Sequence, residues 1–309
     1  MEKGIIPVLF IHTGNQDYLQ YTVAQAEKTN SNVFLLGDES NQKTAQKWVC
    51  MEEYFTERYV RFTENYVHMS SNPYVFELNC FRRFFVSYEF AIRNNIREFM
   101  MLDSDLLAFV NFSDIDFQGC DAAFSMPYDQ SNYIWTASPH CSYWTIDALD
   151  DFLNYLTYAY NEGISQLEEK WKYNHDNHMP GGICDMTLLY LWAQSDSGFH
   201  IYNTAQIRNN AVFDHFLSVS EGYRQGDFQR NRYCEMKKLK FEQGIPYFLY
   251  KDGQWIRTYT IHAQGRSKLY IPTLYNQSTG NFPYVKVKTN DYLHRVNRKL
   301  KKILHTKGI

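Results

Sequence analysis

Phe99-Met100-Met101-Leu102-Asp103-Ser104-Asp105 is a short apolar run closed by two carboxylates two positions apart. In an extended segment, side chains at i and i+2 point the same way, so Asp103 and Asp105 can converge on one hard cation. A divalent ion held there can bridge a diphosphate and neutralise the charge that builds on it as it leaves. Asp and Ser are also ordinary turn residues, so the pair by itself reads equally as a strand-end turn. Its position at the close of a buried strand favours the metal.

Upstream, the chain alternates strand and helix. Val8–His12 is an apolar run closed by Thr13-Gly14-Asn15, and Asp17 is placed to cap a helix over Tyr18–Lys28. Val33–Leu36 is the next strand, ending in Gly37-Asp38. A less regular aromatic stretch follows through Tyr54, Tyr59 and Tyr66, and Glu77–Asn94 then places Phe81, Phe84, Tyr88 and Ile92 at helical spacing. This alternation predicts an α/β fold, a mostly parallel sheet with helices on both faces. Ligands of such sheets bind beyond the carboxyl ends of the strands, so Thr13, Asp38, Asp103 and Asp105 are expected along one crevice.

Downstream, Ala122–Met126 and Ser142–Thr145 read as strands, and Ile146–Tyr160 and Asp185–Gln194 as helices. Tyr247–Tyr250 and Trp255–Thr258 read as a hairpin about Lys251-Asp252-Gly253. No linker interrupts the chain before about residue 275, which predicts one domain over 1–275 and a tail over 276–309.

A second constellation is His262-Ala263-Gln264-Gly265-Arg266-Ser267-Lys268. An imidazole can complete a carboxylate metal site, Gly265 lets backbone approach phosphate, and Lys268 meets phosphate as a point charge. A lone histidine is more often a satisfied structural residue, and the Gly and Lys at these offsets move the reading towards a ligand.

In their order along the chain, these motifs resemble the GT-A glycosyltransferases, especially the retaining family that contains glycogenin and the bacterial lipooligosaccharide galactosyltransferases. The resemblance spans about residues 5–270. It implies a Rossmann-like GT-A domain that moves a sugar from a UDP-sugar to a glycan or lipid-linked acceptor. Asp103, Asp105 and His262 would bind Mn2+ or Mg2+, with Asp103 also near the ribose. Gly265 and Lys268 would hold the diphosphate, and Thr13 and Asp38 would face the nucleoside. Arg83, with Arg82 as its rival, would touch donor phosphate or sugar. Asp185 looks like the acid that hydrogen-bonds the donor sugar, and His140 falls roughly where the family has an Asn beside that sugar. Arg83 reads equally as a salt-bridge arginine, Asp185 as a helix N-cap, and His140 as a structural residue. Two departures stand out: Leu269-Tyr270 replaces the usual Pro-Trp, and Met186 replaces a Gln placed near the reacting carbon.

Three other readings compete. A haloacid-dehalogenase-like phosphatase wants its Asp-x-Asp on the first strand and Thr or Val where Leu107 stands. A nucleotidyltransferase wants a Gly-rich, Arg-containing loop after its first strand. A non-catalytic carbohydrate-binding protein would use the aromatics, 17% of the chain, without a metal.

Net charge is −3 over 309 residues, which gives no reason to expect nucleic acid as a partner. Residues 286–309 nevertheless carry +7, leaving −10 on the rest. Leu293, Val296, Leu300 and Ile303 recur there at helical spacing, which predicts a basic amphipathic helix over 290–309 able to lie on an anionic membrane surface. The six cysteines are scattered, and Ile5–Ile11 is too short and poorly flanked for a signal peptide. The expectation is a cytoplasmic protein, peripheral on the inner face of the membrane.

Overall fold

The β-strands that read most clearly are those with apolar side chains on both faces, as a covered parallel sheet demands. The structure, a computed structural model, describes residues 5–117, 119–126, 133–218, 227–231, 236–289, 292–293 and 296. Its first half runs β1 (Val8–His12), α1 (Leu19–Thr29), β2 (Val33–Gly37), β3 (Trp48–Cys50), α2 (Glu57–Asn65), α3 (Tyr74–Arg93) and β4 (Glu98–Leu102). Then come β5 (Leu106–Ala108), β6 (Ala122–Ser125), β7 (Ser138–Thr145), α4 (Ile146–Tyr160), α5 (Ile164–Asp176) and α6 (Asp185–Ala193). The rest is β8 (Ile201–Asn203), β9 (Ala211–Phe213), β10 (Leu239–Glu242), β11 (Ile245–Leu249), β12 (Trp255–His262), α7 (Ile271–Asn276) and β13 (Gly280–Asn281).

The central sheet has the order β3-β2-β1-β4-β7-β6-β8. Only β7 runs against its neighbours, so this is the mostly parallel α/β sheet that the alternation predicts. A second sheet has the order β13-β10-β11-β12-β5, with β9 alongside β12. Its strand β5 begins immediately after Asp105, so the chain crosses between sheets within the Asp103-Ser104-Asp105 turn.

Period-two alternation divides the central strands between two cores. Leu9, Phe99 and Met101 pack with Phe84, Trp144, Phe152 and Trp192 on one face. Val8, Phe10, Met100 and Leu102 pack on the other with α1 and with Leu106 and Ala108 of β5. A third cluster under the second sheet gathers Leu107, Phe248, Ile261, Leu274, Phe282 and Val287.

Several expectations need correction. The N-cap of α1 is Tyr18, without a side-chain cap, and Asp17 lies before it. β7 starts at Ser138 and α3 at Tyr74, each earlier than the sequence suggests. The hairpin strands extend over Ile245–Leu249 and Trp255–His262. The folded body also runs past residue 275, because β13 pairs with β10 and both Phe282 and Val287 are buried. The expected basic helix over 290–309 lies outside the described residues, apart from Tyr292, Leu293 and Val296. Among the described residues, no helix is long and apolar enough to cross a membrane.

Phe84 is fully buried, edge-on to Trp144 at 5.9 Å and to Phe152 at 5.0 Å between ring centroids. Phe84→Ala is expected to cost about 3–5 kcal/mol, measured by urea unfolding. A loss below 1 kcal/mol would show that this aromatic layer does not bear on stability.

Candidate functional site

β4 delivers Asp103 to the carboxyl edge of the central sheet, and the backbone is fixed there by Asp103 N–H to His140 O at 2.8 Å. Leu106 N–H donates to Asp103 O at 3.1 Å, closing the turn that swings the chain into the second sheet. There β5 lies antiparallel to β12, with His262 opposite Leu106, and Ala263 N–H donates to Asp105 O at 3.0 Å. The pairing brings His262, 157 positions downstream of Asp105, to its side. One ligand atom from each of Asp103, Asp105 and His262 lies within 4.8 Å of the others.

Charge compensation is dense. Asp105 is buried, with Oδ1 3.3 Å from His262 Nε2 and Oδ2 3.1 Å from Lys268 Nζ. Burial raises its pKa, but His262 and Lys268 outweigh that and hold the carboxylate well below its ordinary range. Burial in turn opposes charge on His262, yet Asp105 outweighs it and lifts the imidazole to about 9. Lys268 also reaches Tyr18 OH at 3.5 Å. Two carboxylates and an imidazole in this arrangement are a donor set suited to a hard or borderline divalent ion.

Arg83, on α3, joins the other two acids. It donates to Asp103 Oδ1 at 2.5 Å and to Asp185 Oδ2, in a pair whose Asp185 side chain is only 4% exposed. Burial works against the guanidinium charge, and the two carboxylates more than restore it. Asp185 opens α6 as its first residue, so the cap itself is Cys184, without a side-chain hydrogen bond. Arg82 points elsewhere, over the Phe55 ring at 5.4 Å.

The loop before α6 is stitched to residues 69–71 by Ile183 N–H to Met69 O at 2.7 Å and Ser71 N–H to Gly181 O at 3.0 Å. A Cβ on Gly182 would meet Met69 O at 2.2 Å, so only glycine fits that approach.

The remaining sequence candidates fall at different distances from this centre. Asp38 accepts from Gly14 N–H at 2.7 Å and Ser40 N–H at 3.0 Å, bracing the loops that end β1 and β2. Burial opposes its ionisation, and the hydrogen bonds from Ser40 and Gly14 together outweigh it and lower its pKa. Thr13 is half-buried beside that brace. Gly265 adopts a left-handed φ of 59° at the start of the turn that carries Lys268, with open space where a Cβ would stand.

His140, read from the sequence as standing beside the donor sugar, packs against His262. It is buried behind His262, its ring stacked on that imidazole at 4.4 Å and 7°. Its Nε2–H donates to Asp214 O at 3.0 Å and its Nδ1 accepts from Ser138 Oγ at 2.8 Å, so both ring nitrogens are taken. Burial and the neighbouring His262 keep it neutral.

Sequence reasoning missed Asp214 and Lys237, a buried ion pair directly behind His262. Asp214 did carry a signal, since it closes the apolar run Ala211-Val212-Phe213 as Asp103 closes β4. Lys237 carried none, because Lys237-Lys238 reads as a solvated pair.

No family model and no curated protein matches the sequence. Among solved structures, mouse xyloside xylosyltransferase 1 in its apo form aligns over 67% of this chain and 87% of its own, at 11% identity and TM-score 0.42. The galactosyltransferase LgtC, with donor and acceptor sugar analogs, aligns over 67% and 76% at 11% identity and TM-score 0.36. A glycosyltransferase involved in glycosylation of the major capsid of PBCV-1 aligns over 67% and 84% at 11% identity and TM-score 0.34. At such identities and scores the likeness assigns no role to any residue here. The chemistry of the site has to do that.

Removing one partner of a buried pair strands the other charge. Arg83→Met should therefore cost about 3–5 kcal/mol, and adding Asp185→Leu should regain most of it, as read by urea unfolding at pH 7. Equal losses in the single and double variants would exclude a stranded Asp185 carboxylate as the cause.

Proposed function

We propose that this chain is a metal-dependent glycosyltransferase that moves a sugar from a UDP-sugar to a glycan or lipid-linked acceptor. The observation that carries the proposal is the meeting of Asp103, Asp105 and His262 from two sheets, with Lys268 on the same carboxylate. These three residues would hold Mn2+ or Mg2+. When bound, the ion would supply positive charge where the departing diphosphate gathers negative charge.

The chain's own residues divide the remaining work. Lys268, with the exposed backbone at Gly265, would hold the diphosphate. Thr13 and the Asp38-braced loops, at the ends of β1 and β2, one and two strands across the sheet from β4, would border the nucleoside. Arg83 and Asp185, on the other side of Asp103, would orient the donor sugar. Met186 stands where the resembling family has a Gln, so this chain would line the reacting carbon with an apolar group.

Retention of configuration is the favoured outcome. Inversion needs a positioned carboxylate base, and its first candidate, Asp185, is buried and committed to Arg83. The basic segment 290–309 would bring the enzyme to anionic lipid, where a lipid-linked acceptor resides; its deletion should abolish liposome flotation.

UDP binding by calorimetry should be strong with Mn2+ and lost with EDTA. Asp103→Ala and Asp105→Ala should abolish sugar transfer in a UDP-sugar panel while leaving the fold intact. Lys268→Met should lower turnover about 100- to 1,000-fold, the usual effect of removing one charge-stabilising donor. Binding indifferent to EDTA, or normal turnover by Asp105→Ala, would overturn the assignment. Inverted product anomers by NMR would overturn retention alone.

A further inference from the structure

His262 is held by a single short segment of the chain. Asp214 Oδ2 accepts its backbone N–H at 3.0 Å, Leu217 N–H donates to its carbonyl at 2.9 Å, and its Nδ1–H donates to His215 O at 2.6 Å. Both backbone groups and one ring nitrogen of His262 are therefore satisfied within residues 214–217. The neutral ring is then fixed as the Nδ1–H tautomer, which leaves Nε2 as its only ligating atom.

The segment is itself pinned. Asp214 is fully buried and pairs with Lys237, whose side chain is 2% exposed between the Phe228 and Phe248 rings. Lys237 N–H also donates to Leu217 O at 3.1 Å, so one lysine holds both ends of the segment. On the far side, Asp214 N–H donates to Thr260 Oγ1 at 3.1 Å, and its carbonyl receives His140 Nε2–H.

A buried ion pair is a poor device for stability alone, since a packed apolar pair of similar volume is often as stable. What it supplies is direction: a carboxylate that must present one oxygen to Lys237 and the other to His262. Ligand orientation of this kind, set by groups one step removed from a metal, governs its affinity. We infer that Asp214 and Lys237 are positioning residues, whose buried pair locks His262 in the rotamer and tautomer that present Nε2 to the divalent ion. The inference rests on the proposed metal site, and it deepens that reading by naming what organises it.

The test uses the full chain and Mn2+ or Mg2+ as the probe. Asp214→Asn combined with Lys237→Met leaves no stranded charge and keeps the side-chain sizes close. The variant should bind Mn2+ about 10- to 100-fold more weakly by calorimetry in the presence of UDP. Its far-UV circular dichroism should match wild type. Wild-type affinity in the folded variant would overturn the inference and leave the metal reading standing, whereas no Mn2+ binding by wild type would overturn both. A second measurement needs no variant. Long-range 1H–15N spectra of wild type with Mg2+ and UDP should show His262 protonated at Nδ1 alone, and a ring with its proton on Nε2 and Nδ1 bare would refute the lock.

Discussion

The site depends on how β5 lies against β12. After Leu102 the chain has left the central sheet, and by Leu106 it is pairing with His262 in the second one. Only the Asp103-Ser104-Asp105 turn bridges that gap, so its two carboxylates sit where the sheets meet. A one-residue slip of β5 on β12 would move His262 from its place beside Asp105 and turn Leu106 and Ala108 away from the core they fill with α1. The apolar alternation of Leu106, Leu107 and Ala108 between two hydrophobic clusters fixes the register. Core packing in this way positions polar chemistry.

Three carboxylates so close together need compensation. Arg83 lies between Asp103 and Asp185, while His262 and Lys268 flank Asp105. The body around them carries −10 outside residues 286–309, so its net charge does not supply that compensation. Asp105 favours the charged form of the His262 imidazole, and each partly balances the other. A divalent ion would take over that role, and the proton and the metal compete for the same nitrogen. The cationic groups thus hold the three carboxylates together.

Much of this was legible in the sequence, for physical reasons that can be named. β1, β2 and β4 are buried on both faces, so each is an uninterrupted apolar run closed by polar residues. α4 has a cap at Thr145 and a wide apolar stripe. The Asp-x-Asp and His-x-x-Gly-x-x-Lys spacings expose the candidate ligands because their geometry is local. Other elements were hidden. α2 and α5 are largely polar helices whose stability comes from packing against neighbours, and β3, β8 and β9 are three residues each, too short to show a period. Asp214 and Lys237 acquire their meaning only from a pairing 23 positions apart. No propensity reports a lysine whose ammonium is buried between two phenylalanines. Nor does the sequence show that the His140 ring is buried and stacked on His262.

The two aspartates of the turn differ in exposure, and the difference follows from their anchors. Asp105 is gripped from the second sheet by His262 and Lys268 and is only 8% exposed, whereas Asp103 is gripped by Arg83 from the helical side and is 32% exposed. The helical grip relies on a loop that can approach Met69 only because Gly182 lacks a side chain, which holds Asp185 against Arg83. The second-sheet grip relies on Asp214 and Lys237 behind His262. Each carboxylate is thus held by a cation that is in turn held by a buried acid or a buried ion pair. Motion of either support would reach the aspartates directly, since only Ser104 separates the two anchored residues. Rigid support on both sides of so short a turn keeps two repelling carboxylates at a spacing that one small ion can span.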